Sequence, residues 1–348
     1  MYGHKCECLI TMHSELHIAK LATPLAIGPV VLQNRVFLAP MSGVSDAPFR
    51  AIAAAYGAGM VVSEMVASEM LVRDHAEARS RAERAGPGPH VVQLAGREAR
   101  WMGEAAKVAA DAGADIIDIN MGCPARKVTG GYSGSALMRD LDHALTLIKA
   151  TVAATAVPVT LKMRLGWDER SLNAPELARR AEAAGVRMIT VHGRTRCQFY
   201  NGAADWAAIR AVKEAVSIPL IANGDLARPR DLARMLELSG ADGVMVGRAS
   251  YGRPWLPGYL ARFAATGAMP AEPSGAELVE LVLRHYEDLL VHYGAAVGVK
   301  AARKHIGWYL DGRECPTALR HALMSSIEPG ETLRLLAGAF AVPVREAA

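Results

Sequence analysis

Residues 118–134, "DINMGCPARKVTGGYSG", set a lone cysteine between Gly122 and Pro124, directly after the apolar run "DIIDIN". A cysteine is by default a small buried hydrophobe. Cys123, however, stands just past a strand end, with glycine freeing the backbone before it and proline fixing it after. Two chemistries suit such a thiol. A nucleophile needs a nearby base and a lowered pKa; a general acid must keep its proton at neutral pH. No histidine stands at a local spacing, so the segment alone leaves both open. The glycines at 130, 131 and 134 predict a hinged loop that closes over substrate.

Further polar residues stand where other apolar runs end. Lys162 and Arg164 are two apart and therefore point to the same side of a strand. Two cations there are costly unless negative charge arrives, as it does on a flavin ring gaining electrons. Gln93 and Asn120 are uncharged amides able to read the polar edge of a ring or to cap a turn. His192, with Arg194 and Arg196 following at a spacing of two, suits a phosphate of cofactor or substrate. Asn223-Gly224-Asp225 and Gly247-Arg248 combine close backbone approach with a guanidinium, the composition of an anion site.

These residues need elements to position them. Eight short apolar segments recur: Val36–Leu38, Met60–Ser63, Val91–Leu94, Ile116–Asn120, Val159–Met163, Met188–His192, Leu220–Asn223 and Gly243–Gly247. They are nearly continuous in apolar character, as parallel strands buried on both faces are. Alanine-rich stretches of helical spacing, such as "EARWMGEAAKVAADAG" and "RPRDLARMLELSG", separate them and end in glycine. The pattern predicts a TIM (β/α)8 barrel over residues 27–257, because polar residues close most strands and in a barrel those ends converge on one mouth. From residue 258 to 348 the signals are helical only, predicting a smaller all-helical domain; residues 1–26 read as an N-terminal extension.

Composition narrows the class. The chain has 348 residues, 51% hydrophobic and 21% charged, and its apolar runs fall well short of a membrane span. The N-terminus lacks the apolar core and cleavage site of a secretory signal. Five cysteines, at 6, 8, 123, 197 and 315, form no disulfide framework, and a cytoplasmic setting is expected. Cys6 and Cys8 lack a second ligand pair, so no metal is expected. A net charge of +4 does not by itself predict a nucleic-acid partner.

The segments "VFLAPMSGVSDAPFR", "INMGCPARKVTGGYSGSALMRD", "VTLKMRLGW", "TVHGRTRCQFYNGAADW", "IPLIANGDL" and "GADGVMVGRASYGRPW" resemble the bacterial tRNA-dihydrouridine synthases, most closely the B-type branch. "KAARKHIGWYLDG" resembles that family's C-terminal RNA-binding domain. The resemblance implies an FMN enzyme that reduces the C5=C6 bond of uridines in tRNA, with NADPH reloading the flavin. By position it implies that Ala39, Pro40 and Met41 border the flavin ring and that Gln93 and Lys162 meet its polar edge. His192 would approach the cofactor, and Asn223, Gly224, Asp225, Gly247 and Arg248 would hold ribityl and phosphate. Cys123 becomes the proton donor to C5, opposite the hydride delivered to C6. Asn120, Arg126, Lys127, Arg164, Arg194 and Arg196 then face tRNA at the mouth, with Lys300, Arg303 and Lys304 as a helical basic cluster. An FMN barrel acting on a free small molecule, of the dihydroorotate-oxidising kind, shares the cofactor residues but not the basic mouth or helical appendage. A non-catalytic RNA-binding protein on the same fold is the other alternative.

Overall fold

The computed structural model describes residues 17–340. Cys6 and Cys8 lie outside the described residues. Two short strands, β1 (Leu25–Ile27) and β2 (Val30–Leu32), form an antiparallel hairpin. Nine more follow: β3 (Val36–Leu38), β4 (Met60–Val61), β5 (Val66–Ala67), β6 (Val91–Ala95), β7 (Ile116–Met121), β8 (Val159–Arg164), β9 (Met188–His192), β10 (Leu220–Asn223) and β11 (Gly243–Val246). These nine make one parallel sheet in the order β4-β3-β11-β10-β9-β8-β7-β6-β5. Val62, the residue after β4, bridges Val91 of β6 and brings the two ends of the sheet together. The result is an α/β TIM-type barrel with a helical C-terminal region.

The hairpin was not anticipated from sequence. Its Leu25, Ile27 and Leu32 pack with Phe37, Val91, Ile116 and Ile221, which stand at or near the starts of their strands. The hairpin therefore plugs the N-terminal end of the barrel and leaves the opposite end free for chemistry. Within residues 17–26, read from sequence as part of an extension, two side chains, Leu21 and Leu25, are buried. Leu21 is fully buried in the main core, and Lys20 pairs with Asp242 at 2.9 Å.

Strand parity decides which side chains enter the barrel. Ile117, Ile119 and Met121 of β7, Leu161 and Met163 of β8, and Ile189 and Val191 of β9 pack outward in the core shared with the surrounding helices. Their alternates, Asp118, Asn120, Lys162, Arg164, Thr190 and His192, therefore point inward. Register aligns them in neighbouring rows: Gln93 beside Asp118, Asn120 beside Lys162, and His192 beside both Arg164 and Asn223.

The helix Leu256–Thr266 spans the expected domain boundary. Its Leu256, Leu260 and Ala264 belong to the barrel core, while Trp255 and Tyr259 belong to the core of the helical region. The helices Gly275–Tyr293, Ala295–Leu310, Thr317–Ser325 and Pro329–Phe340 complete that second core. Tyr251 of the barrel stacks on Trp308 of the helical region, with ring centroids 4.1 Å apart. Among the described residues no helix is long and apolar enough to cross a membrane.

Candidate active site

A cavity of about 550 Å³ opens at the C-terminal end of the barrel. Every residue expected to meet the cofactor lines it: Ala39, Pro40, Met41, Gln93, Lys162, His192, Asn223, Gly224, Asp225, Gly247 and Arg248. Cys123, Asn120 and Arg164 line it as well.

Cys123 is held by a chain of buried amides. Asp118 accepts from Gln93 Nε2 at 2.6 Å and from the Thr160 hydroxyl at 2.6 Å. Gln93 Oε1 accepts from Asn120 Nδ2 at 2.7 Å. Asn120 Oδ1 then accepts from the backbone N–H of Cys123 at 2.9 Å and of Gly122 at 3.1 Å. The carboxylate fixes Gln93, which fixes Asn120, which aims the cysteine. On the far side the Cys123 carbonyl accepts from Ser135 N–H and from the Ser135 hydroxyl at 3.1 and 2.8 Å. Asp118 was not singled out in the sequence, although its spacing of two from Asn120 places both on one strand face.

Gly134 completes this clamp. Its φ is +60°, and a Cβ there would stand 2.8 Å from the Cys123 carbonyl oxygen. The loop expected to hinge is thus bonded to the cysteine it carries, and it winds into a short helix, Arg126–Thr129, and a 3-10 turn, Gly134–Arg139.

Asn120→Ala is expected to lower activity at least ~10-fold with the thiol still present, and to cost about 1–3 kcal/mol of stability by orphaning Gln93 and the Cys123 N–H. Turnover and melting temperature measured together check this; an unaltered pair of values would remove Asn120 from the role.

The charges around the thiol are largely deprived of water. Burial pushes the Cys123 thiol up; a hydrogen bond from the Ala125 backbone and the Arg164 and Lys162 charges only partly oppose it. The sulfur therefore keeps its proton at neutral pH, the state a general acid needs. Burial, and next the neighbouring Arg164, lower Lys162 to about 8. Its Nζ donates to Asn223 Oδ1 at 3.1 Å. Burial, followed by the Lys162 and Arg164 charges, holds His192 well below the usual imidazole range, so it is neutral.

Two arginines assigned to tRNA are engaged inside the protein instead. Arg164 is 1% exposed and donates to the carbonyls of Gly122, Thr195 and Phe199 at 2.8–2.9 Å, tying the cysteine segment to the loop after β9. Arg194 is likewise 1% exposed and forms a two-pronged pair with Asp225 at 2.6 and 2.9 Å. Burial works to raise the Asp225 carboxyl, but the hydrogen bonds from Arg194 and the Ala204 backbone, together with the Arg194 and Arg248 charges, outweigh it and leave the group below its ordinary range. Asp225 also pairs with Arg248 at 3.2 Å, so its visible role is to place a guanidinium at the cavity wall. The Arg194 fork is thus taken up by carbonyls and a carboxylate, while Arg164 spends its Nε and Nη1 on carbonyls.

Arg196 stacks over Trp167 at 4.7 Å and donates to Thr129 Oγ1 at 3.4 Å, at the edge of the cysteine loop. Arg126 and Lys127 are exposed beside the mouth. The helical cluster divides: Lys300 is exposed, Arg303 caps the helix Thr317–Ser325 through the Ser325 and Ser326 carbonyls, and Lys304 lies beside Gly43 of the barrel. Arg303 is correspondingly withdrawn from the expected RNA surface.

Sequence reasoning missed two aromatic residues. Tyr200 lines the cavity with Arg248 and Arg164 over its ring at 4.6 and 5.5 Å, and Phe199 stacks edge-on against it at 4.8 Å. The signal was present in "CQFYNG", two aromatics before a glycine turn in the loop that follows β9.

The fold and this pocket define a TIM-barrel enzyme whose thiol, amides and cations converge at the C-terminal mouth. The chain belongs to the dihydrouridine synthase family, whose profile matches residues 37–343. It is 58% identical over 323 residues to a probable tRNA-dihydrouridine synthase of Rhizobium leguminosarum bv. phaseoli, covering 91% of this chain and 99% of that one. It is 47% identical over 286 residues to tRNA-dihydrouridine synthase B of Xanthomonas campestris pv. campestris, covering 82% of this chain and 86% of that one. Among solved structures, histamine dehydrogenase from Rhizobium sp. 4-9 superposes with a TM-score of 0.55 at 16% identity, over 78% of this chain and 51% of that one. Morphinone reductase superposes with a TM-score of 0.51 at 17% identity, over 74% and 92% of the two chains. At such identities the likeness is one of fold alone.

Proposed function

We propose that this protein is an FMN-dependent tRNA-dihydrouridine synthase that reduces the C5=C6 bond of particular uridines in tRNA, with NADPH as electron source. Family membership supports the reaction class, and the relatives described as tRNA-dihydrouridine synthases support the substrate. The single observation that carries the mechanism is that the Cys123 thiol lines the same cavity as Lys162, and burial favours its protonated form.

The residues present fit FMN. A cavity of about 550 Å³ lies within the ~300–1,000 Å³ usual for cofactor sites. At Gly224, φ is +122° and a Cβ would stand 2.7 Å from Ala204 Cβ and 3.0 Å from the His192 ring, so only a bare backbone passes there. Gly224 and Gly247, with Arg248, would hold the phosphate, and Asn223 and His192 would flank it. Ala39, Pro40 and Met41 would border the flavin ring, with Gln93 and Lys162 at its polar edge. When bound, FMN supplies the hydride that reaches C6 of the uracil. Cys123 holds the matching proton at Sγ and gives it to C5; Asn120 and Ser135 aim the sulfur.

A base stacked inside folded RNA reaches such a cavity only when flipped out of its stack. The exposed Arg126 and Lys127 are then suited to position the backbone through phosphates, with Lys300 and Lys304 of the region from residue 258 extending the footprint. The double variant Arg126→Ala, Lys127→Ala is expected to weaken tRNA binding and to flatten its dependence on log salt by about 1–2 units. Filter binding across a salt series measures this, and an unchanged slope would exclude the pair.

Incubation with NADPH and either unmodified tRNA transcript or free uridine tests the whole reading, with mass spectrometry scoring the gain of two hydrogens. Reduction of the transcript alone is the expected result. Equal reduction of uridine would favour a barrel acting on free pyrimidines; no reduction together with failure to take up FMN would favour a non-catalytic RNA binder.

A further inference from the structure

The junction between the barrel and the helical region buries a polar cluster that takes no part in the reaction. Asp46 caps the helix Ala47–Ala55, its Oδ1 accepting the Phe49 N–H at 3.1 Å. Its Oδ2 accepts the Tyr293 hydroxyl at 3.2 Å and lies 3.8 Å from His305 Nε2. His285 Nδ1 lies 3.0 Å from the Tyr309 hydroxyl. One donor atom from each of Asp46, His285 and His305 lies within 4.8 Å of the other two. The three residues are 1%, 1% and 2% exposed, and the Nε2 atoms of both histidines have no hydrogen-bond partner.

Two orphaned ring nitrogens beside a buried carboxylate are a costly arrangement without a compensating ligand. Two imidazole nitrogens with one carboxylate oxygen are the donor set of a divalent transition ion. Outer partners are already in place, with Tyr309 on His285 and both Tyr293 and the Phe49 N–H on Asp46.

We propose that Asp46, His285 and His305 form a buried site for one nitrogen-preferring divalent ion, of the Zn²⁺ or Co²⁺ kind, that clamps the helical region to the barrel. Tetrahedral bonds of ~2.0–2.1 Å set donors ~3.3 Å apart, so the ion draws the three inward by up to ~1.5 Å. The surrounding charges select the ion. Glu64 and Asp46 are offset by Arg50 and Lys304, so the ion is held by nitrogen donors more than by net charge, which disfavours Mg²⁺ and Ca²⁺. The sequence gives no warning of the site because its ligands stand at positions 46, 285 and 305. The three belong to a helix start beside the cavity loop and to two C-terminal helices, so coordination joins the two cores.

The test is a Co²⁺ titration of chelator-treated full-length protein. One equivalent is expected to bind with the visible absorption of low-coordinate Co²⁺, to be displaced by Zn²⁺, and to raise the melting temperature. His305→Gln and Asp46→Asn, the latter keeping the helix cap, should each lower affinity by more than the ~10–100-fold that loss of an outer partner costs. Absence of a Co²⁺ spectrum in the wild-type protein overturns the proposal whether or not the variants fold. So does a thiolate charge-transfer band, which would put the ion on a cysteine, or equal uptake by folded variants.

Discussion

Cys123→Ala is expected to keep the flavin and to bind tRNA with unchanged affinity, yet to form dihydrouridine ~10²–10⁴-fold more slowly, the range a positioned proton donor contributes. The thiol is not needed to build the site, because the segment is held through backbone atoms. Asn120 grips the Cys123 N–H, Ser135 grips its carbonyl and Arg164 grips Gly122. Removing Sγ leaves all three contacts in place. Single-turnover reduction of tRNA by pre-reduced enzyme isolates the step. Since burial raises the thiol's pKa, its acid form persists through neutrality, and in the wild-type enzyme the step should slow only as pH rises past the ordinary thiol range. Wild-type rates from the alanine variant, or a step that quickens with rising pH, would refute the proton-donor assignment.

Lys162→Met is expected to slow flavin reduction by NADPH ~10²–10³-fold, the usual consequence of deleting one fixed electrostatic donor from a dry site. Lys162 lies where the proposed flavin would gain negative charge, and Arg164 beside it already spends its Nε and Nη1 on three carbonyls. With Lys162 lowered to about 8, its charge is present below that pH and lost above it. Reduction by the wild-type enzyme should therefore decline as pH rises through about 8, whereas the slow residual rate of the variant should not. Stopped-flow absorbance without tRNA separates this from Cys123; an alkaline decline of the same size in the variant would assign the titration to another group.

Most of the barrel was legible because its signals are local. Apolar runs bounded by glycine and alanine-rich helices give the βα alternation, and the polar residues closing most strands mark the mouth. Each of the eight expected strands is present, β4 shorter than expected. The hairpin β1–β2 escaped because three-residue strands carry too little pattern, and its packing against the barrel floor is a tertiary fact.

The cavity residues were legible for the same reason, since strand parity needs only the sequence. The fate of the arginines was not. Arg164 and Arg194 look identical on paper to Arg126, and only the folded chain shows that the first two are buried while the last faces solvent.

The sequence by itself therefore determined the fold class, the thiol and the set of inward-facing polar residues, because period and turn chemistry act over a few residues. Tertiary structure alone decided the state of the groups: a thiol kept protonated, a lysine lowered to about 8, Arg194 bound to Asp225, and Asp46 brought against His285 and His305. Desolvation and charge pairing depend on what surrounds an atom in space, and here the surroundings come from strands and helices far apart in the chain.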